Sequence, residues 1–175
     1  MHLQGTSHLG QHGSKAHEDN LLQNQCDTVI RQGKIVTPDG IRIGDIGLRD
    51  GQIADIGETL ARGKVEFDAT GKWVMPGGID PHAHIEQMSG MGLMNADTFE
   101  TATRAAAIGG TTSVISFVAQ ARGQSLSDAM DDYSARAQRG AMIDYAFHMI
   151  VSDTDVHDLD QDLGQLIDAG NRSIK

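Results

Sequence analysis

The sequence predicts an α/β protein in two parts: a strand-only segment, then parallel strands joined by crossover helices, as in an open sheet or a (β/α)8 barrel. Three observations predict it. Residues 26–73 alternate short β-prone runs with glycine turns. From Val74 onward, apolar strand-like runs alternate with stretches of helical period, and parallel strands require crossovers of that kind. Between the two parts, the extended stretch Trp73-Val74-Met75-Pro76-Gly77-Gly78-Ile79 leads into Asp80-Pro81-His82-Ala83-His84. Strand ends of this kind are where barrel enzymes keep their chemistry.

Residues 1–25 hold Gly, Gln, Ser and Asn with His2, His8, His12 and His17 and no apolar periodicity, so they cannot bury enough surface to offset the entropy of ordering. They are expected to form a disordered tail; a metal-binding arm is the alternative. In 26–73 the expected strands are 28–31, 34–36, 43–49, 52–56 and 65–67, with turns at Gln32-Gly33, Asp39-Gly40, Asp50-Gly51 and Thr70-Gly71. Asp50-Gly51 is the clearest hairpin, because Asp-Gly suits the positive φ angles of a type I′ turn. The segment reads as a small antiparallel sheet with a structural role.

In 74–175, Asp97-Thr98-Phe99-Glu100 resembles a capping box, and Phe99, Ala102, Ala106 and Ile108 share a helical face closed by Gly109-Gly110. Residues 111–118 read as a buried strand. Ser125 begins a second helix lined by Leu126, Met130, Tyr133 and Ala137, with Gly140 as its stop. Residues 145–151 form the next strand, and Leu159, Leu163, Leu166 and Ile167 mark a third helix closed by Gly170. Residues 172–175 begin a fourth strand. A complete barrel needs about 250 residues, against about 100 from Val74 to Lys175. The chain is therefore expected to hold about the first four strands, with the remainder beyond Lys175 or the chain itself a fragment.

Composition excludes several classes. With 24 acidic against 14 basic residues the net charge is −10, which repels nucleic acid. No apolar run approaches the roughly 20 residues that span a bilayer, and no basic-then-apolar leader opens the chain. A single cysteine, Cys26, cannot form an internal disulfide and fits a reducing compartment. Cytoplasmic residence is the expectation, with neither nucleic acid nor membrane as partner.

In extended backbone, residues i and i+2 project to the same side, so His82 and His84 can offer imidazole nitrogens to one ion. The competing reading is a chance pair on a surface loop. Asp80 reads as a residue supporting the site rather than a ligand. His148 lies on a strand face with Ala146 and Ile150 and reads as a satisfied core histidine, with a role beside the metal as the alternative. Asp153, Asp155, His157, Asp158 and Asp160 read as a solvated run at a helix start.

Several spaced motifs together resemble the dihydropyrimidinase/hydantoinase branch of the amidohydrolase superfamily. They are Met75-Pro76-Gly77-Gly78-Ile79-Asp80-Pro81-His82-Ala83-His84, Ala96-Asp97-Thr98-Phe99, Gly109-Gly110-Thr111-Thr112-Ser113-Val114-Ile115 and Asp144-Tyr145-Ala146-Phe147-His148. The likeness covers about 27–175 and the family's N-terminal portion only. It implies a metal-bearing (β/α)8 barrel beside a β-sandwich, with 26–73 as the N-terminal share of the sandwich and 74–175 as the first half of the barrel. It also implies a role for Lys175, which occupies the place of a lysine that CO2 converts to a carbamate bridging two zinc ions. Ile174 stands where Phe is more usual; an exposed terminal lysine is the competing reading.

The metal ligands that the resemblance implies are His82, His84 and Lys175, for two divalent ions, expected to be Zn2+. Two further histidines and a proton-shuttling aspartate are expected beyond Lys175, so no catalytic residue proper is expected within the chain. The implied reaction is hydrolysis of the cyclic amide of a dihydropyrimidine or a 5-substituted hydantoin to an N-carbamoyl amino acid, in a protein that forms homo-oligomers, usually tetramers. The isolated chain is expected to be inactive. Glu86 stands where dihydroorotase-like relatives carry an arginine and allantoinases an asparagine, which favours a neutral ring as substrate. The loop 87–94, rich in Met and Gly, suits an apolar ring substituent, or simply fills a gap above the barrel. Still open are a non-catalytic dihydropyrimidinase-like fragment or remnant and an allantoinase- or dihydroorotase-like hydrolase.

Overall fold

The computed structural model describes residues 25–156 and 159–175, so the His-rich tail expected over 1–25, apart from Gln25, lies outside the described residues, as do His157 and Asp158 of the acidic run. The architecture is mixed α/β. Two compact units meet in sequence between Pro76 and Gly77.

The first unit is a five-stranded sheet built on β1 (Thr28–Thr37), β2 (Gly40–Arg49), β3 (Gln52–Gly57), β4 (Val65–Asp68) and β5 (Trp73–Val74). The order is β3-β2-β1-β4, with β5 also on β1. The hairpin at Asp50-Gly51 forms with both residues at positive φ, 51° and 74°, as a type I′ turn demands. The expected all-antiparallel sheet is corrected: β1 pairs antiparallel with β2 but parallel with β4 and β5. After β3 the chain passes through 58–64 before pairing, and a connection of that length can return to run alongside β1.

The turn expected at Gln32-Gly33 is also corrected. It is a β-bulge inside one continuous strand, with the register shift between Ile30 and Gly33 and Gln32 at φ 54°. Buried Asp45 explains why the bulge holds. Its carboxylate accepts from the Gln32 amide at 2.9 Å, the Leu60 amide at 3.0 Å and Arg31 Nη1 at 2.6 Å. Arg31 continues to Glu66 and to the Leu60 carbonyl. Burial raises the Asp45 pKa, but the Leu60 and Gln32 amides and Arg31 outweigh it and lower it to about 2.

The second unit holds a parallel sheet, β6 (Gly78–Ala83), β7 (Thr111–Ala119) and β8 (Asp144–Ile150), in that order. Its crossovers run through α1 (Phe99–Ile108) and α2 (Leu126–Gly140), and α3 (Leu159–Asp168) follows β8. The expected fourth strand appears as a parallel bridge, Met149 to Ile174, with the Met149 amide donating to Ser173 O and the Lys175 amide to Met149 O. The extended stretch before the histidines is split, since Trp73–Val74 belongs to the first sheet and the second begins at Gly78. Gly77 is required there: a Cβ would lie 2.2 Å from the Thr112 side chain.

One face of this sheet is covered by helices. Val114, Val118, Phe147 and Met149 pack with Phe99 of α1, with Leu126, Met130, Tyr133 and Ala137 of α2, and with Leu166 of α3. Each large apolar side chain buried there contributes about 1.5–3 kcal/mol. The α2 stripe is as expected. In α1 the expected face holds for Phe99 and Ala102, with Thr103 buried beside them, but Ile108 is 84% exposed. Thr103 can be buried because its hydroxyl donates to Phe99 O and accepts from the Met142 amide. The cap also moves: Thr98 is the N-cap, paired reciprocally with Thr101 rather than Asp97 with Glu100. In α3, Ile167 is exposed and Leu166 buried.

Candidate metal centre

Strand alternation sets the geometry. Ala83 packs toward the helix-covered core, which sends its neighbours His82 and His84 to the opposite, open face. Pro81 is tolerated because β6 is an edge strand. Asp80 accepts a 3.0 Å hydrogen bond from the His82 amide, so it supports the turn of backbone that carries the pair. The two imidazoles lie 5.5 Å apart between centroids, both exposed.

Between them and the rest of the site lies Phe117 of β7, a residue that alternation would have placed on the open face and that sequence reasoning missed. It is only 5% exposed, because polar side chains cover it. His82 meets it edge-on at 4.7 Å, His84 stacks at 4.7 Å, His148 tilts against it at 5.0 Å and Lys175 Nζ sits 4.5 Å above it. His82, His84 and Lys175 are thus brought to one ring from two ends of the sheet.

His84 is oriented by two residues not singled out beforehand. Gln87 Oε1 lies 2.5 Å from His84 Nδ1; an amide oxygen accepts, so Nδ1 carries the proton and Nε2 keeps its lone pair. Asn95 closes the loop by donating to His84 O and accepting from the Gln87 amide. A glutamine three residues after the candidate histidine was the available signal.

His148 is corrected. It is satisfied, but it stands on the open face and not in the core, with Nε2 3.0 Å from Pro81 O and Nδ1 2.6 Å from Ser173 Oγ. Glu86 is corrected as well. With φ at 50° it turns away to accept from the Phe99 amide at the start of α1, at 3.1 Å, while its carbonyl accepts from Arg136. It serves the helix rather than the ring of a substrate. The acidic run is not wholly solvated: Asp153 accepts from the Gly123 and Asp155 amides, which lower its pKa.

The loop 87–94 is open among the described residues. Met88, Met91, Leu93 and Met94 are all exposed, and with His84, Gln87 and Asn95 the loop lines a cleft of about 410 Å³. Two imidazoles on one platform are donors of the type a divalent ion of the zinc kind takes, whereas the Lys175 ammonium as it stands has no lone pair to offer. The fit is to part of such a site. Among the described residues no group of three or more His, Cys, Asp or Glu side chains gathers to hold a metal.

No protein-family model matches the chain. Curated relatives do. D-hydantoinase of Rhizobium radiobacter is 45% identical over 149 residues, 85% of this chain and 32% of that protein. Dihydropyrimidinase of Dictyostelium discoideum is 36% identical over 135 residues, 75% of this chain and 27% of that protein. A solved D-hydantoinase superposes with a TM-score of 0.78 at 44% identity, over 85% of this chain and 32% of that one. The chain carries an N-terminal portion of the dihydropyrimidinase/D-hydantoinase family. It spans about a third of the length of the hydantoinases it matches.

Proposed function

We propose that this chain supplies part of the metal centre of a cyclic amidohydrolase that opens dihydropyrimidines or 5-substituted hydantoins to N-carbamoyl amino acids. The observation that carries the reading is the meeting of His82, His84 and Lys175 on the Phe117 ring. His82 and His84 would hold an ion by neutral imidazole nitrogens, and Lys175, once its amine has added CO2 and released a proton, would offer a carbamate as a further anionic ligand to the metal. When bound, such ions would supply Lewis-acid chemistry for hydrolysis of the amide. Gln87 at Nδ1 holds His84 in the tautomer that leaves Nε2 free, Asn95 ties the backbone of both residues, and the exposed thioethers of the 87–94 loop offer an apolar wall to a ring substituent.

The wider reading comes with it: a partial (β/α)8 barrel over 74–175, the N-terminal share of a β-sandwich over 26–73, a small cyclic ureide or imide as substrate, cytoplasmic residence and a homo-oligomer. The net charge of −10 and the single cysteine agree with that setting, and no helix among the described residues is long and apolar enough to cross a membrane. With two imidazoles and one amine present, this span alone is expected to bind metal without completing turnover.

Zinc retained per chain after dialysis, compared between wild type and the His82→Ala/His84→Ala double variant, tests the reading. Loss of zinc in the variant is the expected result. Equal retention would assign the metal to His2, His8, His12 and His17 and overturn the proposal. Dihydrouracil opening by the chain alone, abolished by His82→Ala, would show that the span is sufficient.

A further inference from the structure

The geometry points to His148 as the positioning residue of Lys175, a clamp that ties the segment bearing the lysine to the strand bearing the histidine pair. The inference rests on the metal reading above and extends it to a residue that is not itself a ligand.

Three observations carry it. First, residues 171–175 are held to β8 by a single bridge and three backbone bonds, Met149 N to Ser173 O, Lys175 N to Met149 O and Val151 N to Lys175 O. None of the five belongs to the buried core cluster. Second, one imidazole spans the open face. Pro81 O can only accept, so Nε2 of the neutral ring carries the proton, and Nδ1 accepts from the Ser173 hydroxyl. Pro81 is next to His82, and Ser173 is two residues before Lys175, so side chains at 173 and 175 share a face in an extended chain. Third, the ring that does this rests on Phe117, the platform under His82, His84 and Lys175.

Both nitrogens being engaged, His148 has no lone pair for a metal. Its effect passes through Ser173 to the place of the Lys175 amine. Supporting residues of this kind change metal affinity by about 10–100-fold when removed.

The experiment compares wild type with His148→Phe, His148→Asn and Ser173→Ala in the full chain, reading amide hydrogen exchange by NMR and zinc affinity by competition with a chelating dye. Phe keeps the packing on Phe117 and removes both hydrogen bonds. Asn places its amide oxygen where Nδ1 was and can still accept from Ser173. The expected result is about tenfold faster exchange at Met149, Val151 and Lys175 in His148→Phe and Ser173→Ala, with α2 amides unchanged, near-wild-type exchange in His148→Asn, and about tenfold weaker zinc in the first two. Unchanged exchange at those three amides in both variants overturns the clamp. So does acceleration that extends equally to α2, which would mean plain destabilisation. If the exchange pattern appears but wild type binds no zinc, the clamp stands and the metal reading fails.

Discussion

Two polar clusters in this chain are built from similar materials to opposite ends. Around Asp45, a carboxylate 1% exposed takes the Gln32 and Leu60 amides and Arg31, and Arg31 in turn takes Glu66 and a carbonyl. Donors and acceptors cancel, and the cluster's product is a bulged strand held in shape. Around Phe117, His82 is exposed, His84 keeps a free Nε2, and the Lys175 amine lies over a ring with no carboxylate paired to it among the described residues. Polar groups that satisfy one another spend their chemistry on stability; groups gathered with lone pairs to spare keep it for a ligand.

The contrast breaks most sharply at Asp45. Asp45→Ala leaves Arg31 half-buried without its partner and the Gln32 and Leu60 amides bare, and is expected to cost about 3–5 kcal/mol, read as a fall in the urea midpoint; a cost under about 1 kcal/mol would make the first cluster as dispensable to the fold as the second. The same carboxylate sets an acid limit. Its pKa is lowered from 3.8 to about 2, so folding favours the ionised form. That contribution, roughly 2 kcal/mol, is complete at pH values above the unfolded value and is lost as the pH falls through the folded one. Chemical denaturation between pH 5 and 2 should therefore show a steeper loss of stability in wild type than in Asp45→Asn, and parallel curves would remove Asp45 from the account.

Smaller effects sharpen the other side. Thr98→Ala removes the α1 cap and should cost about 1 kcal/mol by thermal melting, with zinc retention unchanged. His82→Ala touches an exposed ring whose packing is an edge contact with Phe117 and a tilted one with His84, so it should move the urea midpoint by no more than about 1 kcal/mol while reducing bound zinc; a large loss of stability would place His82 with the structural cluster. Glu86→Gln keeps an acceptor for the Phe99 amide but drops the charge at the start of α1. About 0.5 kcal/mol is expected, with no change in zinc binding, whereas altered zinc binding would return Glu86 to the site.

Much of this was legible because it is local. The Asp50-Gly51 hairpin, the α2 stripe of Leu126, Met130, Tyr133 and Ala137, and the same-side projection of His82 and His84 all follow from turn chemistry or from a single period. The misreadings were positions where a distant partner overrode local preference. Gln32-Gly33 looked like a turn until Asp45, thirteen residues on, satisfied the bulge amide. Glu86 looked like a substrate residue until the Phe99 amide took it, and His148 looked like core until Pro81 and Ser173 engaged it.

By itself, then, the amino-acid order determined the alternation of strands and helices, the core-facing stripe of α2, and that two imidazoles share a side, since side-chain direction follows from the backbone period. The tertiary structure alone decided that Phe117 would be their common floor, that Lys175 would reach it and that His148 would join the two ends. Those relations depend on which strands lie side by side and in what register, and register is set by contacts between residues far apart in the chain.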